Sequence, residues 1–120
     1  MKRIIVLAGN RSQRVGDLIL REISYLLLRK VKDPRIKGAT ITEVQMTRDL
    51  RIAYVYYSLF GQDVNKKAAQ EGFESAKGFI RKDVGEKLHL RYVPDIHFKY
   101  DNSLEYGQEI DSLLNKITPN

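Results

Sequence analysis

Ser75-Ala76-Lys77-Gly78-Phe79-Ile80-Arg81-Lys82 lies inside a long helical pattern and decides how the middle of this 120-residue chain is read. Upstream, Ala68, Ala69, Phe73 and Ala76 fall on one helical face; downstream, Ile80, Val84 and Leu88 recur every four residues. Gly78 stands between the two runs, at a cost of about 1 kcal/mol relative to Ala in a helix interior. The pattern predicts two helices, over 65–77 and 79–90, meeting at a sharp kink. Lys77, Arg81 and Lys82 surround the junction. Such a kink would bare backbone N–H groups at a helix N-terminus, a geometry that favours phosphate.

Working toward the N-terminus, residues 51–60 and 40–47 read as two strands joined by the tight turn Arg48-Asp49-Leu50, a hairpin. In the second, Ala53, Val55, Tyr57 and Leu59 alternate with Ile52, Tyr54, Tyr56 and Ser58, and the Ala53/Val55 set is expected to be buried. In the first, Thr42, Val44 and Met46 share a face. Residues 12–31 form an amphipathic helix whose apolar stripe is Val15, Leu18, Ile19, Ile23, Leu26 and Leu27, with Ser12 as N-cap. Asp33-Pro34 ends it, because the residue before a proline avoids the helical region. Toward the C-terminus, Val93-Pro94-Asp95 is a breaker, and Ile96, Phe98 and Tyr100 alternate with His97 and Lys99 in a third strand. Asp101-Asn102-Ser103 then caps a final helix marked by Ile110, Leu113, Leu114 and Ile117. A three-stranded sheet with helices packed on one face makes an α+β domain over 11–117. Residues 1–10 read as a leader, strand or tail, and 118–120 as a short tail.

Charge is polarised along this order. Residues 1–60 carry twelve Lys/Arg against five Asp/Glu, a balance of +7, whereas 61–120 carry nine against ten, a balance of −1. A basic half points to a polyanionic partner. With no cysteine, a disulfide framework and a thiolate metal site are both excluded. Two histidines, His89 and His97, leave little for a metal site, and no nucleophile is paired with either. The apolar run Ile4–Ala8 is shorter than the roughly 7–15 residues of a signal-peptide core and far short of the about 20 of a membrane span. The expected protein is a cytoplasmic, monomeric non-enzyme, with no cofactor, no metal, no membrane partner and no small-molecule substrate.

The order helix–strand–strand–helix–helix–strand is that of the type II KH domain, whose GXXG loop clamps the backbone of about four nucleotides. Here Ala76-Lys77-Gly78 stands where GXXG would be. That substitution resembles the bacterial ribosome-binding factor A family. So do Arg14-Val15 with Glu22-Ile23, Lys32-Asp33-Pro34-Arg35, Val44 followed by Arg48-Asp49-Leu50, Gly78-Phe79-Ile80-Arg81, Leu90-Arg91 with Val93-Pro94, and Phe98 through Ser103. Together these cover about residues 11–114. The resemblance implies a type II KH-like fold and a factor that binds the immature small (30S) ribosomal subunit through 16S rRNA and assists its late maturation.

On this reading the expected RNA contacts are Ala76, Lys77, Gly78, Arg81 and Lys82 at the kink, extended by Lys87, Arg91, Arg11 and Arg14. The cations neutralise phosphates while Gly78 lets the strand approach the backbone. Arg48 and Arg51 read as ordinary charge flanking a turn, and Tyr54 and Tyr56 as a half-exposed sheet face. Two other functions stay open at this point: a free-standing KH-type binder of single-stranded RNA or DNA, and a protein-interaction module.

Overall fold

The computed structural model describes residues 11–61 and 64–103. Five elements follow one another: helix α1 (Arg11–Arg29), strands β1 (Ala39–Met46) and β2 (Ile52–Leu59), helix α2 (Lys66–Lys87) and strand β3 (Asp95–Tyr100). The sheet order is β1-β2-β3, with β1 antiparallel and β3 parallel to the central β2. Both helices cover one face of this mixed sheet. The expected final helix, over 103–117, and the leader and tail lie outside the described residues.

The core forms where the apolar sides of helices and sheet meet. Ile19, Ile23, Leu26 and Leu27 of α1, Ala53, Val55 and Tyr57 of β2, Ala69, Phe73, Ile80 and Val84 of α2, and Ile96 and Phe98 of β3 are all buried. At its centre the Phe73 ring lies 4.5 Å from that of Tyr57 and stacks on Phe98 at 4.7 Å. The Ala53/Val55 set faces inward, as expected, although both faces of the strand are partly apolar and alternation alone does not choose between them. Leu18, expected in the apolar stripe of α1, is instead 45% exposed. It lies too far round the helix from the Ile19–Ile23 line to reach the sheet. Ser12 falls within the first turn of α1 and does not precede it as a cap.

β1 departs from simple alternation. Ile41 pairs with Tyr57 but Glu43 pairs with Tyr56, so Thr42 is an extra residue, a β-bulge. The bulge reverses the phase of the strand: Ile41 packs inward before it, Val44 and Met46 after it. Thr42 therefore does not share a face with Val44 and Met46. Its hydroxyl hydrogen-bonds to the Asp101 carboxylate at 2.6 Å. The hairpin turn is closed by Leu50 N–H donating to the Thr47 carbonyl, with Leu50 in the left-handed region at φ 63°. Asp49 caps this turn, accepting from the Thr47 hydroxyl and from Arg51 N–H.

The expected break into two helices at Gly78 is absent. α2 is a single helix of 22 residues, started by the Asn65 side chain accepting from Ala68 N–H and closed at Leu88. Burial explains why it continues through Gly78. The apolar face carries Phe73 on one side of the glycine and Ile80 and Val84 on the other, all fully buried. Each such side chain contributes about 1.5–3 kcal/mol, well above the helix-propensity penalty of one glycine. The glycines with structural work are Gly72 and Gly85. A Cβ on Gly72 would sit 2.8 Å from an Ile36 methyl, and one on Gly85 would sit 2.6 Å from a Val93 methyl. Their absence of side chain lets α2 lie close to the 35–36 loop and to the 93–94 loop. At Gly78 an added Cβ meets nothing within 4 Å.

Candidate nucleic-acid interface

Because α2 runs unbroken through 76–78, no helix N-terminus opens there, and the expected cradle of free amides is not formed. Interior amides of α2 are spent on its own carbonyls. What remains is the placement of side chains. Ala76 packs against the core and Lys77, partly buried, pairs with Glu74 at 3.1 Å. Gly78 and Lys82 are exposed on the solvent side of α2. Lys87, in the last turn, pairs with Asp83 at 3.6 Å.

Arg81 holds the fold together. Its Nε donates to the Pro94 carbonyl at 3.0 Å and a terminal nitrogen donates to the Val93 carbonyl at 3.1 Å. The guanidinium thus ties α2 to the loop that enters β3. Hydrogen bonds from a charged group contribute about 1.5–3 kcal/mol each, less where water competes. Arg81→Met keeps the aliphatic stem but frees both carbonyls, and is expected to lower unfolding free energy by about 1.5–3 kcal/mol in urea titration. An unchanged midpoint would mean that water replaces these contacts at no cost.

Arg11 and Arg91, expected only to extend a basic surface, are brought together with a residue read from sequence as ordinary turn charge, Arg51. The three line a cleft of about 640 Å³ at one end of the domain, between the start of α1, the β1–β2 turn and the α2–β3 loop. Val15, Met46, Leu90 and Pro94 contribute an apolar floor. Tyr92 stands at the cleft with 75% of its surface exposed, and the Arg91 guanidinium lies 5.5 Å from its ring centroid. Asp49 is the acidic residue among the lining side chains; its carboxylate already accepts from Thr47 and Arg51 N–H, and these bonds hold it below the ordinary carboxylate range. Sequence reading missed Arg51 and Tyr92 because residues 11, 51 and 91 lie forty positions apart and converge only in the fold.

On the helical layer, Arg14, Leu18, Arg21, Tyr25 and Leu28 recur at spacings of three and four along the exposed side of α1. Leu18, Tyr25 and Leu28 are exposed apolar groups interleaved with arginines, and Phe79 is exposed on α2. Tyr54 and Tyr56 are half-buried on the opposite face of the sheet, where Tyr54 lies against His97 at 5.5 Å. His97 hydrogen-bonds to Asp95 at 3.1 Å, and no group of three or more metal-ligating side chains occurs among the described residues.

Between the helices, Glu22 and Asp83 bring two carboxyl groups together. Glu22 Oε2 and Asp83 Oδ2 are shielded from solvent and meet no other donor, so the two carboxyls can hydrogen-bond only through a proton that one of them holds. The Glu22 pKa is raised above its ordinary 4.5, first by the side-chain hydrogen bond with Asp83, then by burial and by the Asp83 charge, with Lys87 opposing. A carboxyl that holds its proton more tightly when folded stabilises the fold below its unfolded pKa. That contribution is lost as pH rises through the folded value. Glu22→Gln is therefore expected to raise the melting temperature at pH 7 and to converge on the parent near pH 4. A gain independent of pH would show that the proton on Glu22 plays no part.

The sequence profile described as ribosome-binding factor A matches residues 11–114. The chain belongs to the ribosome-binding factor A family. It is 52% identical over 107 residues to ribosome-binding factor A of Citrifermentans bemidjiense, covering 89% of this chain and 90% of that one. The solution structure of a Thermotoga maritima protein described as a putative ribosome-binding factor A superimposes with a TM-score of 0.56 at 27% identity, covering 77% of this chain and 84% of that one. A second likeness, with TM-score 0.63 at 16% identity and covering 76% and 96%, is to the Thermus thermophilus ribosome-binding factor A as fitted into the cryo-EM map of a 30S complex of that factor. At that identity the likeness speaks for the fold. The three-stranded α+β architecture described above is thus a ribosome-binding factor A fold.

Proposed function

We propose that this protein binds the immature small ribosomal subunit through 16S rRNA and assists its late maturation, as a monomer in the cytoplasm and by binding, not catalysis. The observation that carries the proposal is membership of the ribosome-binding factor A family across nearly the whole described domain. The complex in whose map the Thermus factor was fitted is one with the 30S particle, and that partner is carried over to this chain here. Its charge agrees: +6 overall, with α1 and the hairpin drawn from the basic half. No helix among the described residues is long and apolar enough to cross a membrane.

The RNA-facing set differs in emphasis from the one the sequence suggested. Arg11, Arg51 and Arg91 at the cleft, with Arg14, Arg21 and Lys82 on the exposed helix faces, supply the phosphate contacts. Lys77, Arg81 and Lys87 lie at the margins with their charges partly engaged within the domain. Ala76 is structural, and Gly78 leaves a gap on α2 that a backbone can approach. Contacts of this kind position a protein on RNA without reading sequence. Sedimentation of tagged protein with cell extract tests the proposal. Enrichment with 30S precursors over 70S ribosomes is expected. Protein that stays at the top of the gradient, or that follows 70S particles, would refute it.

A further inference from the structure

We propose that the cleft between Arg11, Arg51 and Arg91 takes one unstacked nucleotide of the RNA, its base laid against Tyr92 and the apolar floor and its phosphates held by the three guanidinium groups. The inference rests on the RNA-binding reading above and names what one part of that surface recognises.

Four features of the cleft lead to it. First, the site is concave, about 640 Å³, where phosphate contacts alone need only a convex basic patch. Pockets of several hundred cubic ångströms with apolar linings and a few placed polar groups are built for compact ligands. Second, its charges come from three separate elements: Arg11 opens α1, Arg51 ends the hairpin turn, and Arg91 lies in the α2–β3 loop. Among the described lining residues the carboxylate is Asp49, which is engaged within its own turn. The Arg51 guanidinium approaches it only to 3.9 Å and keeps 84% of its side-chain surface exposed. Among the described lining residues positive charge is therefore in surplus, and an anion would meet it. Third, Tyr92 is a large aromatic ring held in the open beside that charge. Exposing a tyrosine to this extent forgoes burial that the adjacent core offers to Leu90 and Pro94. An open ring flanked by arginine is the arrangement on which unpaired bases stack. Fourth, the floor between ring and guanidinium groups is apolar, and a base displaced from its helix loses less by lying there than in water. A duplex presents only stacked bases and could not fill such a space; a bulged or looped nucleotide could.

The test uses the full chain and purified 30S precursor particles, with Kd measured across a salt series for the parent, Tyr92→Ala, Tyr92→Phe and the double variant Arg51→Gln/Arg91→Gln. Stacking on an aromatic side chain is lost on truncation to Ala, so Tyr92→Ala is expected to weaken binding by about fivefold to a hundredfold, with Tyr92→Phe close to the parent. Because no phosphate contact is removed, the salt dependence of Tyr92→Ala should match that of the parent. The arginine double variant should lower the magnitude of the slope by about 1.4–1.8. A photo-reactive phenylalanine analogue at position 92 should crosslink to 16S rRNA. Parent-like affinity of Tyr92→Ala, with the arginine variant weakened, would overturn the nucleotide pocket and leave the RNA-binding function standing. A crosslink to a ribosomal protein would overturn it too. Loss of particle binding by the parent itself would remove both readings.

Discussion

Phe73→Ala is expected to destabilise the domain by about 3–5 kcal/mol, the range for truncating a fully buried aromatic. Phe73 is wholly inaccessible and joins three elements: α2 carries it, Tyr57 of β2 lies 4.5 Å away and Phe98 of β3 stacks on it at 4.7 Å. Its removal leaves a cavity bounded by the sheet, which cannot collapse without breaking the β2–β3 ladder. Small domains have a total stability of about 5–15 kcal/mol, so the loss is a large fraction of the whole. Urea unfolding followed by far-UV circular dichroism would read it as a lower midpoint at unchanged slope. Phe79→Ala, one turn and a half along the same helix but half-exposed, serves as the control and should fall within about 1 kcal/mol of the parent. Equal effects at 73 and 79 would contradict the packing of α2 described above.

The second large effect is on binding. Arg51→Gln with Arg91→Gln removes two guanidinium groups from one cleft. If each makes a charge-assisted contact with phosphate, about 1.5–3 kcal/mol is lost per residue, or together roughly a hundredfold or more in Kd for 30S precursors. Neither residue supports the fold: both are exposed, and Arg51 has only a long contact to Asp49. Stability should therefore stay within about 0.5 kcal/mol of the parent. Weakened binding with unaltered unfolding is the expected pair of results. Full binding by this variant would move the RNA interface away from the hairpin end of the domain.

How far the sequence disclosed this molecule depends on the distance over which each signal acts. Strand alternation at 52–59 is local, and it correctly grouped Ala53, Val55 and Tyr57 on one face; which face is buried it did not decide, because both are partly apolar. The order of elements up to β3 was legible for the same reason, apart from the division of α2 into two helices. Thr42 misled because a bulge is a property of two paired strands, and β1 alone shows only its own alternation. Gly78 misled for a tertiary reason. A glycine flanked by cations weakens an isolated helix, but in the fold Phe73, Ile80 and Val84 anchor both sides of it to one sheet. The α2 glycines that matter, Gly72 and Gly85, carry no distinguishing local pattern, since what they contact is Ile36 and Val93. The candidate site follows the same rule. Lys82, Arg11, Arg14 and Arg91 were recognisable as exposed cations, but the grouping of Arg11 and Arg91 with Arg51 and Tyr92 is made by the chain's path. Arg81 reads as a phosphate ligand from sequence, and its two carbonyl partners, which only the fold supplies, add a second role in tying α2 to the loop before β3.

The central claim is that arginine and lysine side chains on the α1–hairpin end of this domain hold the phosphate chain of 16S rRNA. Its most direct measurement is the affinity of the parent protein for purified 30S precursors as a function of salt. With about five phosphates neutralised, log K should fall linearly with log salt concentration at a slope of about −3.5 to −4.5. An affinity that does not change with salt would contradict the claim, because contacts that release no counterions are not contacts between these cations and RNA phosphates.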